Sequence, residues 1–181
     1  PDFLKKLLEL EVPEIAEGII EIVAATRDPG KRAKIAVKSN QPAVGAVGTC
    51  VGQMGGRIQA VIRELNNEKI DIIEWNEKPT VFIASALKPA VISQVVITNE
   101  EEKTAVVVVP NDQLSLAIGK AGINVRLAAR LTGWRLDVLN KDEFEEKRSE
   151  ISGATPLTIV DRIKAEKEAE RKQAEESDIK E

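Results

Sequence analysis

Two long runs rich in β-branched and small apolar residues divide the chain. The first is AEGIIEIVAATRDPGKRAKIAVKSN and the second AVISQVVITNEEEKTAVVVVPND. Each is broken once by a polar turn, RDPGKR or NEEEK, so each predicts a pair of adjacent strands. A short helical stretch precedes each pair, DFLKKLLEL in one case and VFIASALK in the other. Beyond each pair, apolar residues recur at helical spacing on both sides of a glycine pair, and a short strand follows, KIDII or RLDVL. The predicted order is helix, strand, strand, helix, glycine loop, helix, strand, read twice. That describes an α+β protein of two units, 1–79 and 80–140, with the boundary near Pro79 after EWNEKP. The segment 141–181 breaks the pattern: it is charged, with a short apolar patch in ISGATPLTIVDRI. It predicts a solvated helix held by i, i+4 Glu/Lys pairs or a disordered tail, with Leu157, Val160 and Ile163 able to dock on the second unit or on a partner.

The repeat is sharpest at the glycines. CVGQMGGRIQAVIREL (Cys50–Leu65) aligns with AIGKAGINVRLAARL (Ala117–Leu131) at an offset of 67, pairing Gly52 with Gly119, Gly55 with Gly122, Ile58 with Val125 and Arg63 with Arg130. Two glycines inside a helix would cost about 1 kcal/mol each relative to Ala. A helix that stops at the first glycine and restarts after the second avoids that cost. The glycines then form a tight turn at positive φ, where a missing side chain lets another backbone approach closely.

Such a turn places the free N–H groups of the second helix, and the positive end of its dipole, beside the loop. A phosphate of a polynucleotide suits that place. Lys120 adds a cation in the second loop, and Arg126 and Arg130, one turn apart, line one face of the next helix. Gln59 and Asn124 follow the loops and are candidates to hydrogen-bond RNA. The same turns could also be purely structural corners, but two of them at equivalent places in two copies favour a shared ligand. IGKAG is not a P-loop: it lacks Ser or Thr after the lysine, and Leu114 stands where the leading glycine belongs.

Composition narrows the chemistry. There is no histidine, which removes the commonest general base and zinc ligand. Cys50 is the only cysteine; it reads as a small buried hydrophobe and fits a reducing cytoplasm. No apolar run reaches the roughly 20 residues of a membrane span. The net charge of −4 comes from the tail, where nine Lys/Arg face thirteen Asp/Glu, leaving seventeen of each in the first 140 residues. Acidity overall therefore does not argue against an anionic partner. No catalytic residue, metal or cofactor is expected; a carboxylate–magnesium enzyme and a scaffold working through the charged tail are the alternatives from other classes. Trp75 and Trp134 read as core or domain-interface residues more readily than as base-stacking platforms. Ile58, Ile70, Ile72, Val125, Leu136 and Val138 are candidates for an apolar groove, and equally for the core. Lys34 and Lys38, with Lys31 and Arg32, either face RNA or form a solvated strand face.

The element order around each GxxG loop resembles the type II K-homology (KH) domain. VGTCVGQMGGRIQAVIRELNNEKIDIIEW and LSLAIGKAGINVRLAARLTGWRLDV, in tandem, resemble the KH region of the bacterial NusA family over roughly residues 1–140. The resemblance implies two type II KH domains, each a three-stranded mixed sheet packed on helices. It implies that each GxxG loop clamps about four backbone nucleotides of single-stranded nucleic acid. The RNA-binding set it implies comprises Gly52, Gln53, Met54 and Gly55 with Arg57 and Gln59, and Gly119, Lys120, Ala121 and Gly122 with Asn124, Arg126 and Arg130. Unlike many relatives, the first loop carries no base, and Arg57 on the next helix is expected to substitute. The family further implies a monomeric, non-enzymatic, cytoplasmic protein that binds nascent RNA and modulates pausing, termination and antitermination. RNA polymerase and other transcription factors would be partners through other regions of a longer protein, of which this chain, opening at Pro1, is read as a fragment.

Overall fold

Leu4 and Leu8 lie one turn apart in α1 (Asp2–Glu11) and both are fully buried, because i, i+4 spacing puts them on one face. Pro13 opens the one-turn helix α2 (Pro13–Ala16), where its missing N–H would have had no helical partner anyway. The strands β1 (Ile20–Asp28) and β2 (Arg32–Ser39) pair antiparallel across the DPGK turn. After them come α3 (Ala46–Val51), the first glycine loop, α4 (Gly56–Glu64) and β3 (Lys69–Glu74), which runs parallel to β2. The second unit repeats this as α5 (Pro79–Ala86), β4 (Gln94–Asn99), β5 (Thr104–Val109), α6 (Leu114–Ile118), the second loop, α7 (Ile123–Thr132) and β6 (Arg135–Asn140), followed directly by α8 (Lys141–Ile151). The structure is a computed structural model and describes residues 2–151. Leu157, Val160 and Ile163, expected to dock, lie outside the described residues.

Each unit is thus a three-stranded mixed sheet, β1-β2-β3 or β4-β5-β6, packed on helices. The two faces of each sheet have different neighbours. Ala33, Ile35 and Val37 of β2 point into a core with Leu4, Leu8, Cys50 and Val61. Ala36 and Ile73 point the other way, into a core with Phe82, Ile83, Leu87, Ala128 and Leu131 of the second unit. That same core takes Ala105, Val107 and Val109 from the inner face of the second sheet. The outer face of the second sheet, Val106, Val108 and Leu139, packs against Phe144 and Ile151 of α8. Each outer face is therefore covered by the segment that follows it in the chain. The segment expected as a tail from 141 begins as a packed helix.

This covering corrects the reading of Lys34 as either RNA-facing or solvated. Lys34 is fully buried. Its Nζ donates to Asp71 Oδ2 at 2.9 Å and to the Lys88 carbonyl at 3.0 Å, while Arg32 binds both oxygens of Asp71 at 2.7 and 3.0 Å. Burial pushes the Lys34 amine below its ordinary value, against the opposing pull of Asp71. Lys38 pairs with Glu21 at 3.0 Å and lies 5.4 Å from the Trp75 ring centroid. Trp75 and Trp134 both pack against the shared core. Cys50 is buried, and burial together with the nearby Glu14 charge pushes its thiol up to about 11, the setting of an unreactive cysteine.

Glu68 ties the β1–β2 turn to the start of β3. Its carboxylate accepts from Arg27 Nε at 2.8 Å, Arg27 Nη2 at 2.9 Å and the Gly30 amide at 2.9 Å. Burial alone would raise its pKa; these hydrogen bonds outweigh it, and the net shift is downward. A depressed carboxylate contributes stability that is complete above its unfolded value of about 4.3 and is lost as pH falls through the lower folded value. Glu68→Gln is expected to cost about 2 kcal/mol at pH 7, and the gap from the wild type should close towards pH 3 in urea denaturation.

Candidate nucleic-acid interface

The two glycine loops are conformational copies. Gly52, Met54 and Gly55 have φ/ψ of 77°/172°, 51°/27° and 77°/13°; Gly119, Ala121 and Gly122 have 76°/167°, 52°/30° and 69°/16°. Each loop is closed by its second glycine amide donating to its first glycine carbonyl at 3.0 Å. The amides of Gln53, Met54, Lys120 and Ala121 find no backbone acceptor among the described residues. Successive free amides at a left-handed turn, leading into α4 or α7, make a concave donor set suited to an anion.

The first glycine of each loop is there for lack of room. A Cβ on Gly52 would come within 2.8 Å of Arg57 Cγ, and one on Gly119 within 2.8 Å of Asn124 Cβ and 2.9 Å of the Asn124 amide nitrogen. Arg57 and Asn124 are equivalent positions, and both close off the helix before the loop. Arg57 Nη1 donates to the Thr49 carbonyl at 3.0 Å and to Glu14 Oε2 at 2.9 Å. The Glu14 carboxyl lies below its ordinary value, held there by a backbone hydrogen bond and by Arg57 against desolvation. Asn124 Nδ2 donates to the Leu87 and Ala117 carbonyls, both at 3.0 Å.

These placements sort the expected site residues. Asn124 is wholly buried, which corrects its reading as an RNA contact: its Nδ2 joins α7 to α6 and to the residue that ends α5, while its buried Oδ1 has no partner among the described residues. Arg57 is half-buried and paired rather than free in solvent. Arg126 reaches across to the first unit, with Nη2 3.0 Å from Asp28 Oδ2. Lys120, Ala121, Gln53, Gln59 and Arg130 are exposed, and Met54 is 99% exposed. Among the described residues Lys120 and Arg130 make no ion pair, and neither does the exposed Arg63, which the repeat places opposite Arg130. Of the candidate groove residues, Ile58 is buried in the first core, and Val125, Leu136 and Val138 pack against the shared one. Ile70 and Ile72 pack against the first core and also border an open cleft of about 650 Å³ between β3 and the α5–β4 connection, with Asp71, Lys88, Val91 and Ile92. The partners of Arg57 and Arg126 were not legible in sequence, since Glu14 and Asp28 stand 43 and 98 residues away.

The two glycines of a loop should respond differently to a side chain. Gly122 has φ 69° but nothing within 4 Å of an added Cβ, so Gly122→Ala should cost about 1 kcal/mol in urea denaturation. Gly119→Ala meets the same torsional cost and the Asn124 backbone, and should cost at least about 2 kcal/mol.

Comparison with known proteins agrees with this geometry. Residues 1–75 match the family description "NusA-like first KH domain" and residues 79–146 "NusA-like second KH domain". The transcription termination/antitermination protein NusA of Halalkalibacterium halodurans is 51% identical over 146 residues, 81% of this chain and 38% of that protein. NusA of Bacillus subtilis is 49% identical over 81% of this chain and 39% of its own length. NusA of Mycobacterium tuberculosis is 54% identical over 76% of this chain and 40% of its own length. The chain thus spans about two-fifths of the length of these relatives. The crystal structure of APE1850 superposes with a TM-score of 0.53 at 20% identity, covering 75% of this chain and 96% of that one, a likeness of fold alone. The chain belongs to the NusA family, and its two units are that family's tandem KH domains.

Proposed function

We propose that the chain is a single-stranded RNA-binding module of a transcription termination/antitermination factor, acting on nascent RNA without enzymatic chemistry. The observation that carries this reading is the pair of conformationally matched GxxG loops with free amides, set on units that share one core. The backbone of each loop holds a phosphate, through Gly52–Gly55 in the first unit and Gly119–Gly122 in the second. Lys120 supplies charge at the second loop, and Arg130 extends it along α7. Gln53, Met54 and Gln59 meet RNA at the first loop without charge. The cleft lined by Ile70 and Ile72 accepts unpaired bases against the open edge of β3, the outer strand of its sheet. Arg126 keeps Nε and Nη1 for RNA while its Nη2 pairs with Asp28 of the first unit. RNA polymerase and other factors are reached through regions outside this chain, and the protein works as a cytoplasmic monomer.

Fluorescence anisotropy with a labelled single-stranded RNA and its duplex, over a salt series, tests the reading. Wild type should prefer the single strand, with log affinity falling by about 0.7 per log unit of salt for each phosphate neutralised. Lys120→Asp combined with Ala121→Asp should weaken binding about tenfold or more through like-charge repulsion, with circular dichroism unchanged. Binding indifferent to those substitutions would make the loops structural corners.

A further inference from the structure

We propose that Glu14 sets the RNA affinity of the first loop by cancelling the charge of Arg57, the cation nearest in sequence to that loop. The inference rests on the RNA-binding reading above. The two loops have the same backbone but not the same charge: Lys120 is exposed in the second, while the first carries Gln53 and Met54. The cation that could make up the difference is present. The Arg57 stem crosses Gly52, and its guanidinium sits half-exposed beside Glu14, with side-chain exposures of 35% and 27%. Both of its protein hydrogen bonds, to Glu14 and to the Thr49 carbonyl, use Nη1. Nε and Nη2 have no acceptor among the described residues, so the guanidinium retains donors for a phosphate while its charge is cancelled by the carboxylate.

The second unit shows that closing off the preceding helix needs no such pair. There the equivalent Asn124 is neutral, buried and bonded to main-chain carbonyls alone. Glu14 also comes from α2, a short helix for which the second unit has no counterpart between α5 and β4. A carboxylate from an added element, set on the arginine that follows an uncharged loop, acts as an attenuator. It leaves the second loop as the electrostatic anchor and the first as a weak, salt-tolerant contact.

The test measures single-stranded RNA affinity over a salt series for wild type and Glu14→Gln, each with Arg57 intact and with Arg57→Gln. The RNA is unstructured and roughly ten nucleotides or longer, since each unit clamps about four. Glu14→Gln should tighten binding roughly three- to tenfold at low salt and steepen the log–log salt slope by about 0.7, the share of one single-strand phosphate. The gain should vanish in the Arg57→Gln background. Glu14→Ala, which removes the side chain altogether, should reproduce it, and thermal melts identify any variant that fails to fold. A wild type that binds and is weakened by the second-loop aspartates, with no gain from either Glu14 variant, overturns the attenuator and leaves the RNA-binding reading standing. A gain that persists without Arg57 also overturns it, because the effect is then only the loss of a negative charge. Absence of RNA binding by wild type and every variant overturns the functional reading, and this inference with it.

Discussion

A lysine ammonium buried in the middle of a sheet must find partners, and Lys34 finds one in each unit. Asp71 answers it from the neighbouring strand, and the Lys88 carbonyl answers it from the end of α5. Left unpaired under the second unit the charge would be costly, so these partners are what allow that unit to close over this face of β2; they fix how the units meet more than they strengthen the joint. The preceding carbonyl, that of Leu87, accepts from Asn124, whose Cβ packs beneath Gly119. Two adjacent carbonyls therefore link the first sheet to the floor of the second loop.

The helix α7 carries the same constraint further. Its first turn follows the second glycine loop, while its body packs on the first sheet, with Ala128 and Leu131 in one core with Ala36 and Ile73. Thr26 Oγ1 donates to the Leu127 carbonyl at 3.2 Å, and Asp28 holds Arg126. One helix thus presents the second loop and forms the joint between the units. This is why Asn124, expected at the RNA surface, is buried in the architecture, and why Arg126 has one of its donors engaged by the first unit. A polar side chain just after a GxxG loop is as well placed to brace the loop as to touch what the loop holds.

Much of the fold was legible because its signals are local. The paired β-branched runs, the 67-residue offset of the glycines and the proline at the second unit's start are each read within a short window, and the observed elements follow them. The four-residue helix α2 carries no periodicity and was missed. The burial of Lys34 and the packing of α8 were missed for a different reason: a strand sequence does not record what will cover its outer face. At the site, the loops were legible as glycine spacing, but the state of each arginine was not, because it depends on a carboxylate brought in by the tertiary fold. A charge near a loop in sequence is only a candidate until its counter-ion is known.

The shared core has a consequence for any strand that engages both loops. With no flexible linker to average over, the separation of the two loops is a fixed ruler. Once one loop is occupied, the second meets its nucleotides at an effective concentration set by that geometry, without the dilution a loose tether brings. A strand whose spacing matches gains from both contacts together, and one held short by pairing or by another protein gains from only one. A strand that can no longer span that distance would lose the whole of this gain at once rather than by degrees.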